Sequence, residues 1–89
     1  MSIENYNPYE EELQLTKKFF DEGRWSIDKI IEFTRHHRVD ILRGADFNCL
    51  AYIDYEEGKS CAYGLGLTPL WSLCYGIECY EKKHGKENS

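Results

Sequence analysis

Two adjacent histidines, His36 and His37, are the first residues whose type could do chemistry, since imidazole serves as general base and metal ligand near neutral pH. Adjacent residues on a helix project about 100° apart, so the two cannot grip one ion as an i, i+4 pair does. A hydrolase built on either would need a carboxylate, and Asp40 is the positional candidate. Around them lies a basic island of Arg24, Arg35, Arg38 and Arg43 in a chain of net charge −5. Arg35 and Arg38 are neighbours on a helix surface, and guanidinium forks suit phosphate or carboxylate. Arg35, Arg38, Arg43 and His36 therefore form one candidate site, for an anionic small molecule or nucleotide.

The four cysteines, Cys49, Cys61, Cys74 and Cys79, follow one another at intervals of 12, 13 and 5 residues and contain no CxxC pair. That spacing argues against a zinc site, and the chain is expected to hold free thiols, no metal and no cofactor. No phosphate-binding loop, nucleophile elbow or metalloprotease motif occurs, so the expectation is a protein that is not an enzyme.

Aromatic content is the other conspicuous resource, 15% of the 89 residues. Tyr9, Phe19, Phe20, Phe33, Phe47, Tyr63 and Tyr80 fit core stripes or their flanks, and Trp25 fits a staple at a helix junction. Tyr6, Tyr52, Tyr55, Trp71 and Tyr75 do not fall naturally inside. Trp and Tyr bury large area at little rotamer cost, which suits them to contact surfaces. Acidic runs flank these residues: Glu10 to Glu12, Asp21 with Glu22, and Asp54, Glu56 and Glu57. Such runs read as solvated faces, as a patch for a basic partner, or as a mimic of duplex phosphates that blocks a basic site.

Positioning these groups requires the following elements. Asn7 as N-cap, Pro8 at the first helical position and Gly23 as terminator bound one helix, whose stripe is Tyr9, Leu13, Thr16 and Phe20. Ser26 caps a second, striped by Ile27, Ile30, Ile31 and Thr34 and ending near Arg38, with 39–43 extended. Residues 47–67 alternate about Glu56, Glu57 and Gly58, the pattern of a hairpin with a type I turn and a glycine bulge. Pairing Tyr55 with Lys59 puts Phe47, Cys49, Ala51 and Ile53 on one apolar face with Cys61, Tyr63, Leu65 and Leu67. Thr68, Pro69 and a basic end favour a helix over 69–84, although its alternating pattern also suits a strand.

The fold class expected is α+β: two N-terminal helices, an antiparallel hairpin of two to three strands and a C-terminal helix, in one domain with flexible ends at 1–6 and 85–89. The chain begins with no basic and apolar leader, so a cytoplasmic location is expected. Net charge −5 disfavours direct nucleic-acid binding, and no stretch is apolar enough for a membrane span. The functional expectation is a small acidic interaction protein, a regulator or inhibitor. Its contact residues are Trp71, Tyr75, Tyr52, Tyr55, Glu56 and Glu57, its partner a protein with a basic surface, and a homodimer is allowed.

Overall fold

A computed structural model describes residues 7–44, 46 and 48–84 of the chain. The expectations for Tyr6, Phe47 and the two ends lie outside the described residues. The fold is α+β, in the order α1 (Pro8–Asp21), α2 (Ile27–His36), β1 (Val39–Arg43), β2 (Cys49–Ile53), β3 (Ala62–Gly66) and α3 (Pro69–His84). The strands form one antiparallel sheet with β2 in the centre.

Local signals account for the helix ends. Asn7 Oδ1 accepts hydrogen bonds from the backbone N–H of Tyr9 at 3.0 Å and of Glu10 at 3.4 Å. α1 stops at Gly23, whose φ of 82° is left-handed, with Arg24 N–H donating to Phe19 O and Gly23 N–H to Phe20 O. That is a Schellman termination. Ser26 Oγ caps α2 by accepting from Lys29 N–H at 3.1 Å. Thr68 Oγ1 receives Trp71 N–H at 3.3 Å, and Pro69 opens α3, so the capping signals prevail over the strand-like alternation of this segment.

Both N-terminal helices are rotated in part from the faces expected of them, although Thr16 and Ile30 of the expected stripes still face inward. Thr16 is the buried residue of α1, while Tyr9 and Leu13 are exposed; in α2 Phe33 is buried, while Ile27 and Ile31 are exposed. The rotation of α1 follows from Glu12, which turns inward to reach the start of α3. Its carboxylate accepts Leu67 N–H at 2.9 Å, Thr68 N–H at 2.7 Å and Thr68 O–H at 2.8 Å. A carboxylate at a helix N-terminus meets unpaired donors and the positive end of the macrodipole, which outweighs burial of one more leucine.

The hairpin register differs from the expected one by one residue. Observed pairs are Cys49 with Gly66, Ala51 with Gly64 and Ile53 with Ala62. Glu56 and Lys59 exchange both backbone hydrogen bonds across a turn in which Glu57 has φ 53° and Gly58 φ 80°. This is a two-residue type I′ turn, and it replaces the expected type I turn with a bulge. The inward face of β2 is as expected, Cys49, Ala51 and Ile53, but β3 is inverted, with Ala62, Gly64 and Gly66 inside and Tyr63 and Leu65 outside. Close packing of α3 is the physical reason. A Cβ on Gly64 would stand 2.3 Å from Ser72 O and 2.4 Å from Gly76 N, so helix and strand backbones touch. Only a face of Ala and Gly admits that approach.

The core sits between the sheet and α3, where Phe33, Ile53, Ala62 and Ile77 form a buried cluster. Ser72, fully buried in α3, donates to Cys49 O at 2.9 Å and so joins the helix to the central strand. All four cysteines are free thiols; Cys49 and Cys74 are buried, and Cys61, expected on the core face, is exposed by the register change. No helix among the described residues is long and apolar enough to cross a membrane.

Candidate interaction face

Because the described helices lie on one side of the sheet, its other side is left open among the described residues. The register lines up two rows across that open side, Leu42, Leu50 and Leu65 in one and Asp40, Tyr52 and Tyr63 in the other. A strand with one solvated face ordinarily alternates apolar with polar residues, and these strands do not. Leu42 is 58% exposed, Tyr63 59%, Leu65 48% and Tyr55 42%. Tyr52 and Tyr55 meet edge to face at 5.4 Å and, with Arg38, Asp40 and Leu42, line a depression of about 320 Å³.

Charges border this surface. Arg38 Nε stands 3.0 Å from Asp40 Oδ2 in an ion pair that is off the line of a hydrogen bond; the guanidinium is exposed, whereas this carboxylate oxygen is buried. Asp54 is better held. Its carboxylate accepts Arg38 N–H at 2.9 Å and pairs with His37 Nδ1 at 2.8 Å. Burial alone would raise its pKa, but the hydrogen bonds from His37 and Arg38 outweigh it and hold the carboxyl below its ordinary value. Glu56 and Glu57 form the exposed tip of the hairpin.

The residues expected to meet a partner divide between surface and interior. Tyr52 and Tyr55 belong to the open face, with Glu56 and Glu57 at its end. Tyr75 is 41% exposed on α3, on the opposite side of β3. Trp71 is partly buried on α3. Its ring lies 5.7 Å from Phe19 and 5.1 Å from Trp25, in the cluster that joins α1 to α3. Trp25 is 4% exposed and donates Nε1–H to Glu78 at 2.8 Å, while Arg24 grips the same carboxylate at 2.6 and 2.9 Å. Hydrogen bonding by Arg24 lowers the Glu78 pKa against the opposing effect of burial, and the Trp25 bond adds to it.

The basic island does not converge. Arg35 lies in the last turn of α2, whereas Arg38 and Arg43 bracket an extended strand, about 16 Å apart at about 3.3 Å per residue. His36 pairs with Glu32 at 3.0 Å on the helix surface. The partner of His37 is Asp54 rather than Asp40, and its ring stacks on Phe33 at 4.2 Å and meets Tyr80 at 4.6 Å. The two histidines thus point to different neighbours. Among the described residues no group of three or more His, Cys, Asp or Glu side chains is placed to hold a metal ion.

Leu42, Tyr63 and Leu65 are the face residues that sequence reasoning missed, since it placed Tyr63 and Leu65 in the core and gave Leu42 no face, whereas Leu50 lies on the outer side with Tyr52 as expected. The signal was present in Gly64 and Gly66, which alternate with Tyr63 and Leu65 and mark the side of β3 that a helix approaches. No family model, curated protein or solved structure matches the chain.

Proposed function

We propose that the chain is an interaction protein that acts by covering part of a partner protein with the open face of its sheet. One observation carries this reading: Leu42, Tyr63, Leu65 and Tyr55 are left between 42% and 59% exposed on a face that no helix among the described residues covers. Contiguous apolar surface on a small domain marks a contact site, and the depression between Tyr52 and Tyr55 suits one anchoring side chain. The partner is an apolar surface bordered by basic residues, which would meet Asp40, Asp54, Glu56 and Glu57. A second copy fits less well, because each brings net charge −5. Single-stranded nucleic acid also stacks on tyrosines, but it demands a cationic groove that this face lacks.

Quantitative affinity capture with wild type, Leu42→Asp and Tyr63→Asp tests the reading. A specific protein should be retained by wild type, weakened at least tenfold by both variants, and unaffected by Ile27→Asp on the far side of the molecule. Equal loss with Ile27→Asp, or none with the face variants, refutes the assignment of this face.

A further inference from the structure

The second docking feature lies along the outer edge of β3. That strand is at the sheet edge, and its sequence, Ala62–Gly66, carries no charge and no proline. Edge strands are ordinarily guarded by such residues, because their outward N–H and C=O groups pair readily with another chain. The other edge, β1, is guarded by Asp40 and Arg43.

Beside the unguarded edge runs a groove of about 390 Å³, with Tyr63 and Leu65 of β3 on one wall and Tyr75, Cys79 and Lys83 of α3 on the other. Residues from the open sheet face and from the exposed side of α3 line it together, so the groove straddles the edge itself. Among the described residues its only charged lining residue is Lys83, in a chain of net charge −5. Lys83 Nζ donates to Cys61 O at 3.1 Å, which fixes the ammonium where β3 begins. Past Cys61 lies the hairpin tip with Asp54, Glu56 and Glu57.

We propose that this groove takes the C-terminal segment of a partner protein as an added β-strand, with its terminal carboxylate on Lys83. Main-chain hydrogen bonds to β3 supply sequence-independent affinity, and alternate side chains of the segment enter the groove between Tyr75 and Leu65. Charge decides for a chain terminus. An anion placed on Lys83 is paired, whereas a segment carrying acid further would meet the carboxylates of the tip. The proposal rests on the reading of the chain as an interaction protein; the groove shares Tyr63 and Leu65 with the open face but not Leu42, Tyr52 or Tyr55.

The test is selection of peptides displayed with free C-termini on the full chain, followed by synthesis of the enriched sequences as free acids and as amides. The expected result is enrichment of apolar, alternating C-termini, at least tenfold weaker binding of the amides, and a comparable loss with Lys83→Glu. Hydrogen exchange should show slowed amides in Ala62–Gly66 when the acid peptide is bound. Acid and amide are compared on the unaltered protein, so the result does not depend on a variant folding. No enrichment, equal affinity of acid and amide, or binding without protection of β3 overturns the proposal. So does protection of β3 in the free protein with a dimeric mass, which would assign the edge to a second copy. Leu42→Asp separates the two readings, since it should abolish capture at the open face and leave peptide affinity unchanged.

Discussion

At the residue scale, three glycines that look interchangeable in the sequence meet different surroundings. A Cβ on Gly64 would meet backbone atoms of α3 at 2.3 and 2.4 Å, one on Gly66 would meet the Trp71 side chain at 2.3 Å, and one on Gly76 finds its nearest atom at 3.3 Å. Backbone cannot yield by an ångström and a ring can in part, whereas at Gly76 the backbone N of Gly64 has to give by only a few tenths of an ångström. Gly64→Ala should therefore cost about 3 kcal/mol, near the upper end for overpacking, and Gly66→Ala less. Gly76→Ala should be close to neutral, because its crowding is offset by the roughly 1 kcal/mol that alanine gains over glycine in a helix. Urea midpoints of the three variants would show this order, and a Gly76→Ala loss as large as that of Gly64→Ala would contradict the packing described. The thiols make a parallel case. Burial, with a smaller contribution from Glu78, pushes the Cys74 pKa up to about 11, whereas Cys61 is exposed. Under native conditions Cys61 should react fastest with a disulfide reagent, and Cys74 and Cys49 only when the chain unfolds. Mass mapping of the labelled sites over time measures it.

At the scale of elements, α3 is the part against which the others are fixed, and two acidic side chains do much of the fixing. Glu12 ties α1 to the start of α3, and Glu78 ties the α1–α2 junction to its middle. Glu12→Ala leaves the N–H groups of Leu67 and Thr68 without their acceptor and should destabilise by about 1–2 kcal/mol, as loss of a cap does. Glu12→Gln should retain part of that, and chemical denaturation of the pair distinguishes cap from charge. Glu78 and Asp54 add a dependence on pH. Both carboxyls are held below their ordinary values in the folded chain, so folding favours their ionised forms. The stability they contribute is complete above the unfolded-state values, about pH 4, and is lost as pH falls through the folded ones. Denaturation midpoints measured from pH 7 down to pH 2 should decline below about pH 4, and Glu78→Gln should flatten that decline; an identical slope in the variant would argue against the Arg24–Glu78 contact. The element boundaries were largely legible, because Asn7, Gly23, Ser26, Thr68 and Pro69 act through neighbours in the chain. The inward face of β3 was not. Judging that face by apolarity selects Tyr63 and Leu65, whereas contact with α3 selects the smallest residues, and that contact joins segments no local rule relates. Glu12 was hidden likewise: an acid just after the first turn, in a run with Glu10 and Glu11, reads as a dipole partner of its own helix, yet here it serves another.

At the scale of the whole molecule, apolar surface remains on two sides after the core has formed. The sheet exposes Leu42, Tyr63 and Leu65, and the helices expose Leu13, Ile27 and Ile31. The principal extents, 49 × 32 × 20 Å, describe a thin body in which one sheet and one helix layer give little interior. A chain this small buries a modest share of its surface in any arrangement, so exposure by itself is weak evidence; alignment in rows across the strands is what distinguishes the sheet face. Of the residues expected to meet a partner, Tyr52 falls within those rows and Tyr55 meets its ring at 5.4 Å, while Trp71 stands in the aromatic cluster beside Phe19 and Trp25. If the rows serve contact rather than folding, removing their apolar character should cost the fold little. Leu42→Lys combined with Leu65→Glu, a pair placed across Leu50, should change stability by no more than about 1 kcal/mol, the scale of cross-strand side-chain effects. It should also reduce binding of a hydrophobic dye and raise solubility. Ile53→Ala, at a side chain with 0% exposure on the opposite face of β2, should cost about 2–5 kcal/mol. Thermal and urea unfolding of the two variants beside wild type make the comparison. A loss in the face variant equal to that of Ile53→Ala would mean that the rows belong to the core of the fold, and the open face would then have no claim to be a site.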